Sequence, residues 1–148
     1  MISSPILRAR QTAGILAEKL DMSVKIDERL RERGMGDLNN AQIPTSHRWH
    51  VNEILADFPS GFEKWTHLTE RVGSFMREMG REKGTTIAVS HGDTIKAAIA
   101  MILRLDEIPL LGIRISHAQF TIVNKKIDGL VALCSPIISK EIKNEIES

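Results

Sequence analysis

The chain has 148 residues, with 20 Lys plus Arg against 19 Asp plus Glu, a formal net charge of +1. That length suits one domain around a single core, and the charge balance excludes a global electrostatic footprint for nucleic acid or an anionic membrane. Hydrophobic residues are 42% and charged residues 26%, which excludes wholesale disorder, and any anion must be held by locally placed groups.

Taken in chain order, the pattern alternates strands and helices, which predicts an α/β architecture. A short apolar opening, Met1-Ile2, runs into Ser3-Ser4-Pro5. A helix is predicted from Leu7 to Leu20, with Ala13, Leu16 and Leu20 on one stripe. Ser23 to Ile26 reads as a short strand. Glu32 to Trp49 reads as a long loop, which in a compact domain is usually functional or mobile. A short helix is predicted over Trp49 to Ala56, ended by Pro59-Ser60-Gly61.

The clearest helix runs from Glu63 to Arg81. Leu68, Val72, Phe75, Met76 and Met79 share one stripe, while Glu70, Arg71, Arg77 and Glu78 fall on other faces. Thr85 to Ser90 reads as a buried strand. Asp93 to Leu105 reads as a helix apolar nearly all round, which should be covered on most sides. Ala118 to Asn124 and Leu130 to Leu133 read as strands, joined through an Asp128-Gly129 turn signal. A charged tail follows from Ser139. Aromatic residues are only 4%, without Tyr, so the core must be aliphatic and Met-rich. The single Cys134 excludes an intrachain disulfide and a cysteine zinc site, and fits a reducing cytoplasm. No apolar run approaches a membrane span and the opening residues lack a secretory core, so a cytoplasmic chain is expected.

Three segments carry candidate chemistry. Ser3 to Ala13 places Arg8 and Arg10 just inside a helix start, where free N–H groups and a guanidinium can cradle phosphate. Alone, it reads better as a capped surface helix. Ile87 to Ile95 delivers His91 to a strand's carboxyl end, with Gly92 before a helix start. Open α/β sheets bind ligands there, and Gly92 lets the backbone approach one closely. The plainer reading packs His91 at the strand end with Asp93 as N-cap, but the convergence favours function. Asp27 to Gly36 places Glu32 before a glycine-bearing loop, where a carboxyl can act as acid or base. On spacing alone it is a solvated charge run. His91-Gly92-Asp93 offers two candidate metal ligands without a third, a weak site, so no metal and no cofactor are expected.

Together, SSPILRARQTA, DERLRERGMG, PSGFEKWTHLTERV and IAVSHGDTIKAAI resemble, in order, conserved segments of the histidine phosphatase, or phosphoglycerate mutase-like, superfamily. The resemblance spans Met1 to about Asn124. It implies a three-layer α/β/α fold with a mostly parallel sheet. Residues 1–138 would form that domain and residues 139–148 the tail. It implies Arg8 as phosphate-binding arginine, Glu32 as proton donor to the leaving oxygen, and His91 as the second histidine on the phosphoryl group, beside Gly92. Glu63 falls on a supporting acidic position. Lys64 stands where the family has Ser, and Asn40 where it more often has Gly.

The family's opening Arg-His-Gly, whose His is the nucleophile, does not occur in these residues. The expectation is a domain lacking its first strand-helix unit, roughly 30 residues or more. His47, His50, His67 and His117 lack the strand-end context to replace it. Two functions remain open: phosphomonoester hydrolysis or phosphoryl transfer through a phosphohistidine, impaired here, or a non-catalytic phosphate-binding or regulatory module. The expected partner is a small phosphorylated molecule or phosphate. The missing strand would leave two unpaired edges. Three repairs are expected: a homodimer partner fills the gap, the flanking strands close onto each other, or the true start lies upstream.

Overall fold

The structure, a computed structural model, describes residues 1–38, 60–111, 113, 115–124 and 129–134. Three short parallel strands form one sheet in the order β2-β1-β3: β1 (Ile2–Ser3), β2 (Lys25–Ile26) and β3 (Ala88–Val89). Ile2 aligns with Lys25 on one side and Ala88 on the other. A second sheet is the antiparallel hairpin of β4 (Phe120–Asn124) and β5 (Gly129–Cys134), with an irregularity between Ile122 and Val123. Helices α1 (Leu7–Lys19), α2 (Trp65–Arg81), α3 (Gly92–Leu103) and α4 (Glu107–Leu111) connect them, with 3-10 turns at Glu28–Leu30 and Gly36–Leu38.

The expected α/β class with parallel strands is therefore present. Helix α1 lies against β1 and β3, and α2 packs along α3. Leu68, Val72 and Ala97 are fully or almost fully buried, with Trp65, Met76 and Ala98 packed against them. This is the stripe read from the sequence of α2. The stripe of α1 is different: Ala9, Ala13 and Ala17 are buried, while Leu16 and Leu20 are exposed. Small side chains let the helix lie close to the sheet, so the alanines rather than the leucines face it.

Three other expectations need correction. The strand predicted over Thr85 to Ser90 is two residues long, and Ala88 is exposed. Among the described residues, β3 pairs only with β1, so its other edge has no strand partner there. Nor do the flanking strands close onto each other: β3 and β4 lie in separate sheets. The helix of residues 92–103 is less enclosed than its composition suggests, with Leu103 and Leu105 both more than one-third exposed. The helix predicted over Trp49 to Ala56, most of the loop, Asn40, His47, His50 and the charged tail lie outside the described residues. Helix α4, which buries Leu110, was not read from the sequence.

Candidate functional site

The parallel strands all run toward the same end, so the residues just after them converge there. Ser4 follows β1, the turn leading to Glu32 follows β2, and Ser90-His91 follow β3. This is the carboxyl edge at which open α/β sheets place ligands.

His91 is the N-cap residue of α3, in extended backbone, and is buried. Its Nε2 lies 2.8 Å from Ser4 Oγ, which also accepts from the Ile6 N–H at 3.2 Å. Burial, then the charges of Arg8 and Arg71, push its pKa down to about 4. The imidazole is thus neutral through the neutral range, with one ring nitrogen held by Ser4. Asp93 is not the N-cap; it is the second helical residue, and its carboxylate pairs with Lys96 at 3.6 Å.

Glu32 takes over part of the capping. Its Oε1 accepts from the Arg33 N–H at 3.0 Å and the Asp93 N–H at 3.3 Å, at the positive end of α3. Burial raises its pKa, with the Asp93 charge adding, while the two N–H groups and Arg8 oppose. Burial wins, and the carboxyl holds its proton above the ordinary glutamate range. It is therefore no solvated charge run.

Arg8 sits in the first turn of α1 and is exposed. Among the described residues no ion pair or side-chain hydrogen bond holds its guanidinium, yet its charge is felt at both His91 and Glu32. Gly92 opens α3, and a Cβ there would meet nothing within 4 Å. Arg8, Glu32, His91 and Gly92 are thus brought to one place.

Glu63 is not at that place but behind it. Its carboxylate accepts from the Gly34 N–H at 3.0 Å and is gripped by Arg71 Nε and Nη2 at 2.7 and 2.8 Å. Burial pushes its pKa up, but Arg71, Gly34 and Arg31 together hold it lower than usual. Lys64 is the N-cap of α2 and makes no side-chain cap, where a Ser would supply an oxygen. His67 and His117 are exposed. A shallow cleft lined by Met1, Lys25, Glu82 and Thr85 lies at the opposite strand ends, away from these groups.

The sequence reading missed four contributors. Ser90 Oγ donates to Leu30 O at 2.7 Å and Thr94 Oγ1 to Arg31 O at 2.7 Å. Arg71 also belongs to the site's support, and Ser4 is the partner of His91. These contacts join segments 39 to 87 residues apart, so spacing carries no signal of them.

A two-sheet α/β fold thus brings a basic group, a neutral imidazole and a carboxyl of raised pKa to one helix N-terminus. The chain matches the model of the histidine phosphatase superfamily, branch 1, over residues 1–134, and it belongs to that family. It is 32% identical over 136 residues to the 2,3-bisphosphoglycerate-dependent phosphoglycerate mutase of Thermoplasma acidophilum, covering 88% of this chain and 66% of that one. The mycobacterial glucosyl-3-phosphoglycerate phosphatase aligns with TM-score 0.66 at 28% identity, covering 81% of this chain and 66% of that one. The α-ribazole phosphatase of Shigella flexneri aligns with TM-score 0.70 at 21% identity, covering 93% and 74% respectively. The chain spans about two thirds of the length of the curated relatives it matches.

Proposed function

We propose that Arg8, His91 and the backbone at Gly92 bind the phosphate group of a small phosphorylated molecule. Glu32 then protonates the leaving oxygen of a phosphomonoester or phosphoryl-transfer reaction. The observation that carries this reading is the convergence of Glu32, His91 and the N-terminus of α3, with Arg8 acting electrostatically on both side chains. An acid must be protonated near working pH, and burial of Glu32 moves it in that direction. Its Oε1 is occupied by two N–H groups. Oε2 makes no hydrogen bond among the described residues and is the oxygen left to carry the transferable proton. One solved structure similar to this chain is named a glucosyl-3-phosphoglycerate phosphatase, which supports the substrate class.

Transfer through a phosphohistidine needs a nucleophile, and the 148 residues contain no Arg-His-Gly. The residues present supply binding and the acid. A second reading stands beside the first: a phosphate-binding or regulatory module without turnover. The test pairs inorganic phosphate titration with a p-nitrophenyl phosphate assay, on the chain and on Arg8→Ala, His91→Ala and Gly92→Ala. Phosphate is expected to bind, with Arg8→Ala weakening it about tenfold or more, as for loss of a charge-assisted contact. Gly92→Ala should fold normally and bind less. Turnover that His91→Ala abolishes supports the first reading, phosphate binding without turnover supports the second, and failure to bind phosphate ends both.

We also propose a homodimer in which a second copy pairs along the open edge of β3. Supporting it, β3 has β1 as its sole strand partner among the described residues, and unpaired edges recruit other chains.

A further inference from the structure

The segment that carries Glu32 has no strand ladder to hold it. From residue 29 to residue 32 its backbone is fastened instead by side chains reaching in from the residue after β3, from α2 and from α3. Ser90 takes the carbonyl of Leu30, and Thr94 takes that of Arg31. Arg71, from α2, takes three: Nη1 donates to Arg29 O at 2.6 Å and Arg31 O at 2.9 Å, and Nη2 to Glu32 O at 3.3 Å. Nε and the other Nη2 hydrogen go to Glu63. All five donors of the guanidinium fork are therefore spent, two on a carboxylate and three on carbonyls.

We propose that Arg71 is a positioning residue for Glu32: its fork, oriented by Glu63, holds the backbone of residues 29–32 so that the Glu32 carboxyl meets the N-terminus of α3. This rests on the reading of Glu32 as the acid. A mere ion pair with Glu63 would need only a charge. The three carbonyl bonds need the planar fork, which Lys cannot reproduce with its three donors on a single nitrogen. Glu63 closes the arrangement from the other side by accepting the Gly34 N–H, two residues past Glu32. Glu32 is thus pinned before and after, while Arg8 and Asp93 are the charges that face its carboxyl.

The test needs no turnover. In the full chain, labelled on glutamate side chains and backbone amides, the Glu32 titration and the exchange of the Arg33 and Asp93 amides are followed by NMR. Arg71→Lys keeps the charge. It should move the Glu32 midpoint down toward the ordinary carboxyl range as water enters. The Arg33 and Asp93 amides should lose protection by about tenfold, as for a lost charged hydrogen bond. Leu68→Val weakens the same helix away from the carbonyls and should change neither. Glu63→Gln, which frees the fork without removing it, should act as Arg71→Lys does and serves if that variant does not fold. An unchanged Glu32 midpoint and unchanged amides in folded Arg71→Lys or Glu63→Gln overturn the proposal. Phosphate titration of the unaltered chain is read separately: failure to bind there, with the NMR result intact, removes the phosphate reading and leaves the clamp standing.

Discussion

At the scale of single residues, burial disfavours the charged forms of two groups of the site, His91 and Glu32. His91 falls from 6.5 to about 4 because it is buried and faces Arg8 and Arg71. Glu32 moves the opposite way, mainly because it too is buried. Near neutrality the imidazole carries no charge and the carboxyl is drawn toward its neutral form. Arg8 and the α3 N-terminus then remain as positive features that the proposed phosphate would meet. The His91 shift has a measurable consequence. The folded chain binds fewer protons than the unfolded chain between the two pKa values. The stability involved is complete above about pH 6.5 and is lost as pH falls through 4, on the order of 3 kcal/mol in all. Urea unfolding at pH 7 and 4.5 should show the chain losing about 2–3 kcal/mol more than His91→Gln. Equal losses would place His91 in a solvated, unshifted environment. Glu32 contributes with the other sign: its raised pKa favours the folded state at low pH, and that contribution fades as pH rises through the folded value.

At the scale of elements, the acid-bearing loop and the segment opening α2 are pressed together. Met35 bridges Phe62, and Gly36 lies at φ +56° against Ser60 and Gly61, with Gly61 itself at φ +76°. A Cβ on Gly36 would collide with Ser60 O and the Phe62 N, which are backbone and cannot swing aside. Gly84 also has a positive φ, +76°, but a Cβ there meets nothing within 4 Å. Both Gly→Ala changes pay the conformational term, and only Gly36→Ala adds the clash. Thermal or urea unfolding should find Gly36→Ala less stable than Gly84→Ala by at least about 1 kcal/mol. Equal costs would mean the two segments do not cross this tightly. The same crossing places Arg33 beside Phe62 and Trp65, at 4.5 and 5.6 Å from their rings, with Glu107 of α4 at 2.6 Å. Loop, α2 and α4 are joined at that side chain.

At the scale of the molecule, the described strands form two sheets, and β3, which leads into His91, is the edge strand of one of them. If a second copy completes that edge, sedimentation at tens of micromolar should give twice the chain mass. Charged substitution at the exposed Ala88 should shift the balance toward monomer. A monomer with cooperative unfolding would remove the dimer proposal. Among the described residues no helix is long and apolar enough to cross a membrane.

Much of this was legible in the linear chain. The apolar stripe of α2 declared its buried face because a single helix repeats every 3.6 residues. The strand-His-Gly-helix run around His91 declared a carboxyl-edge site, and four ordered segments pointed to the family the comparison then showed. What spacing could not carry was anything that depends on two distant segments meeting. Arg71 looked like a surface residue beside Glu70, and became the fastening of Glu32 only because α2 passes over residues 29–32. Ser4 looked like a helix cap, and became the partner of His91 only because β1 and β3 are neighbours. The leucines of α1 looked like core, yet close packing onto the sheet selected the alanines. Composition and periodicity are properties of one segment, so the sequence by itself determined the elements and the residue types of the site. Hydrogen bonds and burial are properties of pairs, so only the tertiary structure decided which groups are held, which are neutral, and where Glu32 points.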